Sequence, residues 1–213
     1  IDGNYTGRIL SGMQGKYSWA ATFVDIVVTG VTFYRAYDIN EYYGGAIVGA
    51  NVTATDCDFL SCHGGEGSAI YAGNISLTRC NFFRCGGRFA VASTRSTVAV
   101  GCRFEANEST WAVLGEFWNA PTLDLTGCTF IGNRFGSGGA GISGGGSLRL
   151  RGCVLQDNMV SMDFWGPISA VNSVFVTGTT TGESFHMVAS ADFEIPREFI
   201  NCTFINRWST WYS

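Results

Sequence analysis

One register runs the length of the chain and limits what it can fold into. Take Val31, Cys57, Cys80, Cys102, Cys128, Cys153, Ser173 and Cys202 as position zero. Successive members lie 20–29 residues apart, about 24 on average, within the range of solenoid repeats. Two positions later stand Phe33, Phe59, Phe82, Phe104, Phe130, Leu155, Phe175 and Phe204. Three positions earlier stand Val28, Ala54, Leu77, Ala99, Leu125, Leu150, Ala170 and Phe199. Five earlier stand Ile26, Val52, Ile75, Thr97, Leu123, Leu148 and Ile168. In the last repeat this column meets Arg197, so a local insertion or bulge is expected there. Polar or small residues separate the columns, which is the period-two pattern of strands with one buried face.

The glycines fit the same frame. Gly30, Gly101, Gly127 and Gly152 directly precede position zero, where a bend is needed and positive φ is cheap for glycine. No stretch carries sustained helical periodicity with caps. The expected fold is all-β: a single-stranded parallel β-helix of about eight coils, each stacked on the next at about 4.8 Å. One domain is expected over residues 1–213. Residues 1–24 form an N-terminal coil or cap, 25–206 the repeats, and 207–213 an aromatic tail.

Composition removes several functions. The formal charge is −4 and only one of 13 basic residues, Lys16, is lysine. A nucleic-acid partner and a polybasic membrane contact are therefore not expected. No apolar run approaches the length of a membrane helix. The chain begins at Ile1 without a signal-peptide pattern and reads as a processed or excised segment. Eight cysteines and five N-x-S/T sequons point to an oxidising, extracellular or cell-surface location. The sequons are Asn4, Asn51, Asn74, Asn107 and Asn201. Asn107 is set aside because its column faces inward, which leaves Asn4, Asn51, Asn74 and Asn201 as glycosylation candidates.

The motifs Gly44-Gly45-Ala46-Ile47, Phe104-Glu105-Ala106-Asn107 and Phe130-Ile131-Gly132-Asn133 carry a resemblance. They are similar to the G-G-A-I and F-x-x-N repeats of polymorphic outer-membrane autotransporter passenger domains. Those repeats fall within the pectin-lyase-like superfamily, so the resemblance implies a right-handed helix. It spans residues 25–206 and is compatible with surface adhesins, virion proteins and sugar-active enzymes alike. Asn107, Asn133 and Asn158 are expected to form a ladder at one corner. Cys62 and Cys85 replace that asparagine in two coils. Their shared phase in adjacent coils makes them the disulfide candidate. The other cysteines read as free thiols in a buried stack.

Catalytic signals are sparse. Asp56 and Asp58 flank Cys57, and Arg79 follows Asp56 one coil later. This trio is the one weak candidate for lyase-like acid–base chemistry, against an exposed ion pair. His63 and His186 have no nucleophile at a recognisable spacing. Cys57-x4-Cys62 and Cys80-x4-Cys85 follow the repeat rather than a metal site, so no metal and no cofactor is expected. Gly139–Gly144 matches a dinucleotide fingerprint by letters but precedes a strand, not a helix. An ice-binding threonine column, Thr29, Thr55 and Thr78, is interrupted at Val100 and ends at Arg151.

Low charge, weak terminal caps and exposed aromatics point to association. Trp208, Trp211 and Tyr212 are the candidate assembly residues, beside loop aromatics such as Tyr34, Tyr42, Tyr43, Trp111, Phe117, Trp118 and Trp165. The expected function is a non-enzymatic extracellular solenoid that self-associates, end to end or laterally, into a surface fibre or coat. The alternatives are a polysaccharide lyase or glycoside hydrolase, and an adhesin or glycan-binding module.

Overall fold

The computed structural model describes residues 10–11, 13–14, 22–37, 45–116, 122–135, 140–158, 160–176, 184–188 and 195–205. Every described element is a strand, and the chain winds as a parallel β-solenoid. Its narrow face is an eight-stranded sheet built from three-residue strands. These are Thr32–Tyr34, Asp58–Leu60, Asn81–Phe83, Arg103–Glu105, Thr129–Ile131, Val154–Gln156, Val174–Val176 and Thr203–Ile205, numbered here as levels 1 to 8. Each pairs in parallel with the next, and the phenylalanine column stays in register throughout.

The other two walls belong to one 14-stranded sheet. At levels 2 to 4 a single long strand serves both walls: Ile47–Thr55, Gly67–Thr78 and Gly86–Val100. Eight levels enclose seven intervals, and the wound body amounts to about six turns, slightly fewer than the coil count read from the repeat. A short antiparallel pair, Met13–Gln14 with Thr22–Phe23, departs from the parallel pattern.

The corners explain more than the glycines. All eight residues just before position zero have φ of 50–66°. Four are Gly30, Gly101, Gly127 and Gly152; the others are Asp56, Arg79, Asn172 and Asn201. Asn and Asp tolerate this left-handed region better than other non-glycine residues, whereas Arg79 bears its strain without that help. A second left-handed corner follows the short strand at Arg35, Ser61, Arg84, Ala106, Gly132 and Asp157. At these six levels two left-handed bends isolate the three-residue strand as its own wall.

The inward columns fuse into one core. Phe33, Phe59, Phe82, Phe104 and Phe130 stack with ring centroids 4.6–4.9 Å apart and planes within 8°. Leu155 interrupts the stack, which resumes as Phe175 over Phe204. Offset-stacked rings contribute roughly 0.5–1.5 kcal/mol per pair beyond their area. The bulge expected at Arg197 is absent: Arg197 pairs in register with Ile168. Level 8 is the last of the sheet among the described residues, and there the Arg197 side chain is half-buried, with Nε and Nη2 buried and without a hydrogen-bond partner.

Candidate functional site

The trio of Asp56, Asp58 and Arg79 sits at the left-handed corner before the narrow face. The structure brings two of the three together. Arg79 donates from Nε and Nη2 to both carboxylate oxygens of Asp56, each at 2.7 Å. Both side chains are exposed. The Arg79 hydrogen bond holds the Asp56 carboxyl below its ordinary range. Asp56 is thereby an ionised, occupied carboxylate, unsuited to donate a proton. Asp58 turns to other partners, accepting from Asn81 Nδ2 at 2.8 Å and Thr32 Oγ1 at 3.4 Å.

A different cluster forms along the second corner. A groove of about 540 Å³ is lined by Ser61, His63, Arg84, Ala106, Glu108, Gly132 and Arg134. One flank is the left-handed column Ser61, Arg84, Ala106 and Gly132. The other is a column two residues later: Tyr37, His63, Gly86, Glu108 and Arg134, paired level by level. Backbone N–H groups of His63, Gly86, Glu108 and Arg134 donate to Ala36, Cys62, Cys85 and Asn107 one level earlier, which fixes the column.

Gly86 is needed in that column. A Cβ there would lie 2.8 Å from His63 Nδ1 and 3.0 Å from its Cε1, so the missing side chain makes room for the imidazole. Burial pushes the His63 pKa below its ordinary value, opposed by the charge of Glu108 and a hydrogen bond to the Gly86 backbone. A neutral imidazole, a carboxylate and two guanidinium groups thus share one open groove. This arrangement can accept and donate hydrogen bonds to a polar ligand and offset a negative charge.

The model of the right handed beta helix region matches residues 9–165. The chain belongs to this right-handed β-helix family. Comparison with curated proteins and with solved structures returned no match.

The β-helix accounts for the remaining sequence candidates. Asn107, Asn133 and Asn158 are buried and form the expected ladder. Asn107 Nδ2 donates to Asn133 Oδ1 at 2.9 Å, and Asn133 Nδ2 to Asn158 Oδ1 at 2.8 Å. Each amide also donates to a carbonyl of the preceding coil: Phe82, Phe104 and Phe130 in turn. Cys62 and Cys85 stand in the same column as free, buried thiols, donating to the Phe33 and Phe59 carbonyls. Burial pushes the Cys85 thiol well above its ordinary pKa. Four cysteines of position zero also donate across coils. Cys80, Cys128, Cys153 and Cys202 donate to the carbonyls of Ala54, Ala99, Leu125 and Ala170 in the coil before. The β-helix therefore uses thiols as inter-coil donors as well as core filler.

The sequons Asn51 and Asn74 lie on the outer face within a second ladder. Asn74 Nδ2 donates to Asn51 Oδ1 and Asn51 Nδ2 to Asp25 Oδ1, each at 2.7 Å. Asn201 is exposed at the last left-handed corner. Asn4, Trp208, Trp211 and Tyr212 lie outside the described residues, as do Tyr42, Tyr43, Phe117 and Trp118. Trp165 is half exposed, whereas Trp111 packs edge-on against Phe89 at 6.1 Å.

The sequence alone raises His63 only as a histidine without a nucleophile, and does not bring Arg84, Glu108 and Arg134 together as a group. The signal was present. Carrying the repeat register six residues past position zero aligns Tyr37, His63, Gly86, Glu108 and Arg134.

Proposed function

We propose that this β-helix is a non-enzymatic extracellular structural protein that self-associates into a surface fibre or coat. The autotransporter-like repeats belong to this reading. The observation that carries it is the C-terminal level. Among the described residues, Arg197–Ile200 and Thr203–Ile205 end their respective sheet orders. Phe204 is 51% exposed, Ile205 44% and Ile200 42%. An edge strand with apolar side chains favours addition of another chain. A head-to-tail contact on a rod does not close and yields a filament. The Asp56–Arg79 pair supports the non-enzymatic side, because the best acid–base candidates neutralise each other. The sequons and the outward placement of Asn51, Asn74 and Asn201 support an extracellular setting.

The test is light scattering with negative-stain electron microscopy across a concentration series. Concentration-dependent rods are expected, and Phe204→Glu combined with Ile205→Lys shortens them while far-UV circular dichroism stays unchanged. Dispersed monomers of the parent protein at all concentrations refute self-association.

A further inference from the structure

Among the described residues, three oppositely charged pairs close between levels of this rod. Asp56 pairs with Arg79 at 2.7 Å and Asp124 with Arg151 at 3.1 Å, and Glu66 pairs with Arg88. Glu108 and Arg134 do not close in this way. They are in-register neighbours on adjacent levels, where a pair is geometrically simple. Yet neither is ion-paired among the described residues, and neither is Arg84, which lies 5.0 Å over the Phe83 ring. All three line the same groove, with His63 at its N-terminal end. With His63 neutral, the groove holds two positive charges against one negative, in a chain of formal charge −4.

We propose that this groove is a binding site for an oxyanion flanked by hydroxyl groups. Arg84 and Arg134 hold the anion, since the planar guanidinium fork matches carboxylate and sulfate oxygens. Glu108 accepts hydrogen bonds from the neighbouring hydroxyls, which a bare inorganic anion cannot supply. Ser61 offers a further hydroxyl contact, while Ala106 and Gly132 keep the floor open between the arginines. A volume of about 540 Å³ is in the range of small-molecule sites. The site lies at a different corner from Asp56 and Arg79 and is independent of self-association through the C-terminal level.

The experiment is calorimetric titration of the full chain with four probes: glucuronate, a sulfated monosaccharide, inorganic sulfate and glucose. The imidazole signals of His63 are followed by NMR in parallel. The expected result is binding of glucuronate or the sulfated sugar, at least tenfold tighter than glucose or inorganic sulfate, with a shift of the His63 signals. Whichever of the first two binds identifies the oxyanion. Arg84→Gln and Arg134→Gln each weaken that binding at least tenfold, and Glu108→Gln narrows the gap between the bound probe and inorganic sulfate. Arg103→Gln, which breaks the Arg103–Glu105 pair at 2.7 Å, leaves binding unchanged. Unchanged circular dichroism of the variants separates lost binding from lost folding. Failure of both acidic sugars to bind, or binding that survives the Arg84→Gln/Arg134→Gln double substitution, overturns the proposal.

Discussion

Replacing Asn133 by alanine tests whether the buried amide ladder carries the stability of the rod. Asn133 Oδ1 accepts from the Asn107 backbone N–H at 3.0 Å and from Asn107 Nδ2 at 2.9 Å. Asn133 Nδ2 donates to the Phe104 carbonyl at 3.0 Å and to Asn158 Oδ1 at 2.8 Å. Alanine removes all four bonds in a fully buried setting. Asn107 keeps its bond to the Phe82 carbonyl, so one of its amide hydrogens stays satisfied. Its backbone N–H, its other amide hydrogen and the side-chain bond to Phe104 O are lost. Each buried orphan costs about 1–3 kcal/mol, so three give about 3–9 kcal/mol. That is a large part of the roughly 5–15 kcal/mol typical of a folded domain. Levels 2 and 3 provide an internal control, because Cys62 and Cys85 occupy the same column. Asn133→Cys restores a donor to the Phe104 carbonyl, as Cys85 Sγ donates to Phe59 O at 3.4 Å. It should cost about half as much as alanine. Equilibrium urea unfolding followed by far-UV circular dichroism measures both. An alanine cost below about 1 kcal/mol, or a cysteine cost equal to it, refutes the reasoning.

Three further outcomes follow from the same geometry. Thiol titration of the reduced native protein should modify Cys202 alone, the one cysteine that is not fully buried, and all eight after denaturation; rapid labelling of several thiols contradicts the stack. Gly115→Ala should destabilise by several kcal/mol, since φ is +144° and the new Cβ would lie 1.8 Å from the Ser143 carbonyl oxygen; an unchanged urea midpoint contradicts that backbone. Stability should fall as pH drops below about 6.5, because His63 has a depressed pKa when folded and the unfolded chain binds its proton first. His63→Gln should flatten that part of the stability–pH curve, and an unaltered slope contradicts the assignment.

Most of the fold was legible because the repeat constrains itself. Cys57, Cys80, Cys102, Cys128 and Cys153 must share one phase, and the phenylalanines two residues on inherit it. Parallel stacking then places like residues above one another without further information. The asparagine ladder was legible for the same reason. Arg197 reads as a slip because an arginine interrupts an apolar column, and only its backbone pairing with Ile168 shows that the register holds. Asp56 and Arg79 were recognised as neighbours, but not as occupants of a strained corner. That corner takes glycine at four levels and other residues at four, so composition alone hides it.

The sequence by itself determined the parallel solenoid, the core columns and the polar ladder, since each follows from periodicity along one chain. Only the tertiary structure decided which outward charges are paired and which are left open. Asp56 and Arg79 on one corner, and Glu108 and Arg134 on the other, carry the same chemistry at the same inter-level step. The first pair closes, whereas the second lines a groove beside Gly86, where a missing side chain admits His63. Side-chain direction and local space at a corner set that difference, and neither is encoded in the repeat.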